Sequence, residues 1–295
     1  MRYIYIFVSF VFFATSCVSE LGDERVITVS ILPFKYFTES ITGEHFKINV
    51  LVPPGASPAA YDPTPSVVNG LSNSDAIIYD GHLGFELAWM DRLNEINRGV
   101  RIVVLAEGLD LLSDEEHAHG GEIHYSGVDP HFWMSPFIAV QISERIRDLV
   151  IDLDPENSEI YHQNFNSLVE EIGRTRRYLD TTLLGASGSS FMIFHPSLGY
   201  LARDYGLRQL AVEVDGKEPS PSDLKGIIDL GRGENIKVIM VQREFDMKNA
   251  ATIAEELGAE VIMIDPLAED WNQSLRNIGM IIADNYTTAK KIQVK

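Results

Sequence analysis

The chain has 295 residues, 45% of them hydrophobic, which is more than one small domain needs and enough for two lobes and a connector. Its 24 basic and 43 acidic residues give a formal net charge of −19, which excludes nucleic acid as the main partner, because that backbone is held by Lys and Arg. The one cysteine excludes an internal disulfide.

Residues 1–16 read as a leader and not as part of the fold. Arg2 is a short basic start, and Tyr3 to Phe13 is almost wholly apolar but too short to span a bilayer as a helix. Ala14-Thr15-Ser16 then brings small residues up to Cys17, an arrangement that resembles a bacterial lipoprotein signal. That resemblance implies cleavage before Cys17, lipidation of its sulfur, and an anchor in the cell envelope outside the cytoplasmic membrane.

The front half predicts strands at 25–32, 46–52, 75–80 and 100–106, with helices at 34–41, 85–96 and 136–151. The second strand ends at the turn Pro53-Pro54-Gly55, and a long loop precedes the third helix. One long amphipathic helix follows at 156–184. Tyr161, Phe165, Leu168, Ile172, Leu179 and Leu183 recur along it at helical steps. Asp154 as cap, Pro155 at the first helical position and Gly185 as the stop bound it. Behind it the pattern returns, with strands at 191–195, 207–214, 236–242 and 259–265 and helices at 198–205, 222–231, 248–257 and 271–287.

Strands alternating with helices of this length specify an α/β fold with parallel sheets covered on both faces. The expected organisation is a leader (1–16), a front lobe (17–154), a bracing helix (155–185) and a back lobe (186–295). Such sheets bind ligands beyond the carboxyl ends of their strands, so two lobes suggest a cleft between two sets of strand ends.

Three side chains of metal-ligand type stand at those ends: His131 after the fourth front strand, His195 after the first back strand, and Asp265 after the last. Imidazole nitrogen and carboxylate oxygen suit Zn²⁺, but each residue could equally be a hydrogen-bonded strand-end group. Position alone does not decide.

The wording of the motifs does. Val52-Pro53-Pro54-Gly55-Ala56-Ser57-Pro58 with Tyr61-Asp62-Pro63-Thr64-Pro65-Ser66 comes first in the chain. Asp129-Pro130-His131-Phe132-Trp133, Phe194-His195-Pro196-Ser197-Leu198-Gly199-Tyr200-Leu201 and Asp265-Pro266-Leu267 then follow. In that order they resemble the zinc/manganese substrate-binding lipoproteins of ABC importers, over essentially the whole chain after the leader. The resemblance implies two (β/α)₄-like lobes joined by a rigid helix, with metal bound in the cleft by His131, His195 and Asp265. It implies a monomeric receptor, not an enzyme, that captures Zn²⁺ rather than Mn²⁺ and passes it to a membrane permease.

One position departs from that pattern. Ala59 stands where the family usually has its first histidine, two residues before the signature tyrosine. Water, His82 after the third strand, a loop histidine, or a loss of tight binding would each account for the change. The stretch from about 112 to 127 carries His117, His119 and His124 among acidic residues, a short tract able to collect metal loosely or simply to be solvated. Glu213, Asp215, Glu218 and Glu244 gather near back-lobe strand ends, where they could orient the histidines or stay exposed. A degenerate site would favour a surface adhesin or scaffold instead. A zinc hydrolase lacks support, since no His-Glu-x-x-His or Gly-x-Ser-x-Gly occurs.

Overall fold

The computed structural model describes residues 25–96, 98–113, 127–214 and 216–293. The leader with Cys17, and the tract with His117, His119 and His124, lie outside the described residues. Strands β1 (Val26–Val29), β2 (Lys47–Val50), β3 (Ala76–Tyr79) and β4 (Arg101–Val104) form one sheet in the order β2-β1-β3-β4. Strands β5 (Ser190–Ile193), β6 (Arg208–Ala211), β7 (Val238–Gln242) and β8 (Glu260–Ile264) form a second in the equivalent order β6-β5-β7-β8. Every pairing is parallel. The strands β1, β3 and β5 are buried along their whole length, as cover on both faces requires.

Nine helices are described: α1 (Leu32–Thr42), α2 (Pro65–Gly70), α3 (Gly84–Ile96), α4 (Pro136–Leu153), α5 (Ser158–Thr182), α6 (Gly199–Tyr205), α7 (Pro221–Gly233), α8 (Lys248–Leu257) and α9 (Trp271–Gln293). The short α2 has no counterpart in the sequence reading. At six residues it is too brief to carry an apolar period, and only Val68 of it is buried.

The bracing helix is α5, entered through a 3₁₀ turn at Pro155–Asn157. Asp154 does not cap it with its side chain. Its carboxylate instead accepts from Tyr161 and Asn157 and pairs with Arg25 at the front of β1. After Thr182 the chain turns away, and Gly185 takes a φ of 82°, which only glycine adopts without strain. The 25 residues of α5 give a rod of about 38 Å. Its stripe of Tyr161, Leu168, Ile172 and Leu179 is buried against α1, α4 and α9.

The core does not stop at a lobe boundary. A single apolar cluster runs from Ile27, Phe34 and Ile77 through Trp133, Leu168 and Leu179 to Phe191, Trp271 and Ile278. A second, smaller cluster lies between the far face of the back sheet and its covering helices, with Met192, Val212, Ile239 and Ile253.

Candidate metal centre

In an open parallel sheet the crevice for a ligand lies beyond the strand ends, where the strand order reverses direction. In the back sheet that point falls between β5 and β7. His195 leaves β5 there, two residues after Ile193. Gln242, the last residue of β7 and buried, fixes its backbone from both sides. Its Nε2 donates to the His195 carbonyl at 2.6 Å, and its Oε1 accepts from the His195 N–H at 3.3 Å. From the front lobe, the loop after β4 brings His131 to the same place, just before a 3₁₀ turn of buried Phe132, Trp133 and Met134.

The two imidazoles meet across the cleft with their Nε2 atoms 3.3 Å apart. Each ring is held from behind by a buried carboxylate. Nδ1 of His131 donates to Asp129 Oδ1 at 2.8 Å, and Nδ1 of His195 donates to Glu213 Oε2 at 2.6 Å. Because an ionised carboxylate only accepts, these bonds place the ring hydrogens on Nδ1 and leave a lone pair on each Nε2. Two lone pairs facing each other at that distance repel unless a cation joins them. Two nitrogens about 2.0–2.1 Å from one tetrahedral Zn²⁺ stand about 3.3–3.4 Å apart. The observed separation matches that of two imidazoles sharing one zinc ion.

The surroundings keep the pair in place. The His131 ring packs on Trp133, and the His195 ring stacks on Phe245 at 5.2 Å. Asp129 Oδ1 also accepts from the backbone N–H of His131 at 2.9 Å. Its Oδ2 fits against Gly199, where an added Cβ would meet that oxygen at 2.6 Å. The cleft, about 480 Å³, is lined by His131, His195, Glu213, Glu244 and Ala59 among others.

The other expected donors stand differently. Asp265 follows the edge strand β8 and lines a neighbouring hollow of about 230 Å³ rather than the cleft. Its Oδ1 accepts from Leu267 N–H at 3.1 Å and its Oδ2 lies 3.6 Å from Arg243 Nε. His82 sits half-buried after β3, its backbone N–H donating to Asp80 Oδ1 at 3.0 Å, and burial pushes its imidazole below the ordinary value. Its neighbours Leu83 and Gly84 line the cleft, but His82 itself is not among the lining residues. Among the described residues, no three His, Cys, Asp or Glu side chains stand together at metal-binding spacing.

Ala59 lines the cleft as a methyl that coordinates nothing. Its loop is pinned by Phe85 N–H donating to Pro58 O at 3.1 Å and by the close approach of Gly84 to the Ala59 carbonyl. Of the acidic residues near the back strand ends, Glu213 orients His195, whereas Glu218 accepts from Asn249 at the surface, and Asp215 lies outside the described residues. Glu244 faces the cleft. Burial raises its carboxyl above the ordinary value, with nearby Asp265 adding to the rise and His195 and Arg243 opposing it. The role of Asp129 had a local signal, two residues before His131. Glu213 was one of four acidic residues near the back strand ends that could orient the histidines, and which of them pairs with His195 depends on how β6 sits beside β5.

Comparison with known proteins identifies the family. Residues 27–288 match the family described as zinc-uptake complex component A, periplasmic (ZnuA). The high-affinity zinc uptake system protein ZnuA of Bacillus subtilis (strain 168) is 28% identical over 255 residues, 83% of this chain and 79% of that protein. The zinc-binding lipoprotein AdcA of Streptococcus pneumoniae is 25% identical over 93% of this chain, which spans only 55% of that longer protein. A solved structure of a zinc-bound ZnuA deletion mutant superposes with a TM-score of 0.81 at 34% identity, covering 89% of this chain and 98% of that one.

Proposed function

This chain belongs to the ZnuA family of zinc-uptake components, and we propose that it captures Zn²⁺ outside the cytoplasmic membrane and delivers it to the permease of an ABC importer. Members of this family bind and hand on a metal substrate and are not enzymes. The observation that carries the proposal is the pair of Nε2 atoms 3.3 Å apart, each ring fixed by its own carboxylate. That pair is a nitrogen-rich cradle, which suits Zn²⁺ better than Mn²⁺. The zinc-binding relatives and the zinc-bound ZnuA structure support the same metal.

In this reading His131 and His195 are the nitrogen ligands, one from each lobe. Asp265, held by Leu267 N–H and Arg243, and His82, outside the cleft lining, flank the site, and water fills what protein donors leave open. The tract with His117, His119 and His124 gathers zinc. Cys17 carries the lipid that keeps the receptor, a monomer, beside its permease, and the lipoprotein name of the AdcA relative favours that anchor.

A zinc competition titration tests the proposal on the wild type, His131→Ala and His195→Ala. One-to-one binding that either substitution weakens by about 100-fold or more supports it, since losing a ligand costs at least what losing a ligand's partner does. A wild type that binds no zinc, but binds after Ala59→His, would replace zinc capture with a surface lipoprotein that has kept the cleft and lost its cargo.

A further inference from the structure

We infer that Tyr200, with Gly199 beside it, positions the front-lobe histidine for zinc: the two residues seat Asp129, and through it the His131 ring, on the helix that follows His195. This rests on the zinc-capture reading above and adds positioning residues that bond to neither imidazole.

The first support is a closed set of buried bonds. Tyr200 is fully buried, and its O–H donates to the Asp129 carbonyl at 2.7 Å while accepting from the Leu112 N–H at 3.0 Å. Asp129 N–H in turn donates to the Leu112 carbonyl at 2.9 Å, and Ser113 and Val128 form an antiparallel bridge beside them. One phenol thus holds both sides of the stem that carries Asp129. Gly199 leaves the room that Asp129 Oδ2 occupies, since a Cβ there would stand 2.6 Å from that oxygen. With its carbonyl held and its Oδ2 seated, Asp129 has Oδ1 in place to accept from both the backbone and the ring of His131.

The second support is where that helix begins. α6 starts at Gly199, four residues after His195. The turn between them is closed by Ser197 N–H donating to the His195 carbonyl at 2.8 Å, and Leu198 N–H is fixed by Gln209 Oε1 of β6 at 2.7 Å. The back-lobe histidine and the seat of the front-lobe histidine therefore belong to one short stretch of chain. Each lobe supplies one imidazole, and an Nε2 separation of 3.3 Å needs a common reference, which α6 provides. A metal-binding imidazole is aimed by the groups behind it, so a shift of Asp129 misaligns His131 even where the fold survives. The Tyr200 ring packs under the Arg203 guanidinium at 5.0 Å, whereas its O–H serves the stem alone.

The test measures zinc affinity by competition and, in chelator, the Nδ1–H signal of His131 by NMR of histidine-labelled protein. It uses the full chain, Tyr200→Phe, Gly199→Ala, Asp129→Ala, Tyr200→Phe/Asp129→Ala, His131→Ala and Thr175→Val. Thermal unfolding in chelator reports the fold of each. Tyr200→Phe keeps the ring and removes only the O–H. It is expected to weaken zinc by about 3–10-fold, less than the roughly 10–100-fold of Asp129→Ala, and to shift the His131 signal. Gly199→Ala crowds the carboxylate from the other side and should move both readouts too, which keeps the proposal testable should Tyr200→Phe not fold. In the Asp129→Ala background, Tyr200→Phe should change affinity by no more than about twofold, because its route to the ring is gone. Thr175→Val removes a buried hydroxyl bonded to Asn272 and Arg276 between α5 and α9, and should lower Tm without moving either zinc readout. Wild-type affinity or a wild-type His131 signal in Tyr200→Phe, or an undiminished effect in the Asp129→Ala background, overturns the proposal and leaves Tyr200 a core residue. Affinity unmoved in His131→Ala refutes zinc capture itself.

Discussion

Replacing Glu213 with alanine separates a metal site from an ordinary ion pair. Its Oε2 lies 2.6 Å from His195 Nδ1, and the Glu213 side chain is 7% exposed, so water screens the bond little. With zinc bound, losing such a partner costs about 10–100-fold in affinity, which is about 1.4–2.7 kcal/mol. Without zinc two effects oppose each other. The lost bond to a charged group is worth about 1.5–3 kcal/mol. The freed His195 ring, however, can move its hydrogen to Nε2 and donate to His131 Nε2, already 3.3 Å away. That new bond returns about 0.5–1.5 kcal/mol and removes the clash of lone pairs. The apo protein should therefore lose only about 1 kcal/mol, or about 2–4 °C in Tm. The assay is a zinc competition titration beside a thermal melt in chelator. Affinity within about threefold of wild type, or an apo loss above about 3 kcal/mol, would show that Glu213 serves the fold and not the metal.

Three further substitutions probe separate parts of the structure. Ala59→His places an imidazole on the cleft wall at a pinned loop. It should raise zinc affinity by about tenfold or more in the same titration, and no gain would mean that the loop does not face the ion. Gly84→Ala puts a Cβ within 2.3 Å of the Ala59 carbonyl oxygen. The loop must shift, at about 1–3 kcal/mol by thermal or urea unfolding, and a variant as stable as wild type refutes the contact. Asp154→Asn tests the anchor of β1 on α5. Burial alone would raise the Asp154 carboxyl above the ordinary carboxylate value, but the bonds from Tyr161 and Asn157 and the charge of Arg25 outweigh it and hold the group lower. A depressed carboxyl stabilises fully above its unfolded value and loses that contribution as pH falls through the folded one. Wild type should exceed the variant by about 2 kcal/mol near neutral pH, with the gap closing below about pH 4. A gap that persists at about pH 2 in urea unfolding would refute the network.

The regular elements were legible because each carries its own period. The strands expected at 75–80 and 236–242 are Ala76–Tyr79 and Val238–Gln242, and the helix at 248–257 is Lys248–Leu257. The short α2 has too few residues to show a period, and Asp154 found better partners in Tyr161 and Arg25 than the helix start it precedes. Within the site, His131 and His195 could be placed at strand ends from sequence, but their 3.3 Å approach depends on both lobes at once. Glu213 and Gln242 act through side-by-side strands, and Arg243 meets Asp265 across the β7–β8 pair. Sheet order decides such contacts, and no local spacing in the chain reports it.

Sheet order and the shared core also decide how the cleft can open. Trp133, two residues after His131, donates its indole N–H to Pro266 O of the back lobe at 3.0 Å, and Trp271 donates back to Trp133 O at 2.7 Å. Tyr200 of α6 donates to the Asp129 carbonyl at 2.7 Å, and Arg203 donates to Asp110 O at 3.0 Å. The front-lobe histidine is thus oriented by back-lobe groups. Swinging the lobes apart would strip buried indole and phenol donors of their partners, at about 1–3 kcal/mol each, and would expose the apolar cluster that crosses from one lobe to the other. The Ala59 loop and the Glu244 turn sit at the mouth with exposed or half-buried residues, and moving them breaks the Phe85–Pro58 bond and the Phe245–His195 stacking but leaves that seam intact. Release of a bound ion therefore costs least through those two loops, with α5 and the tryptophan seam left intact.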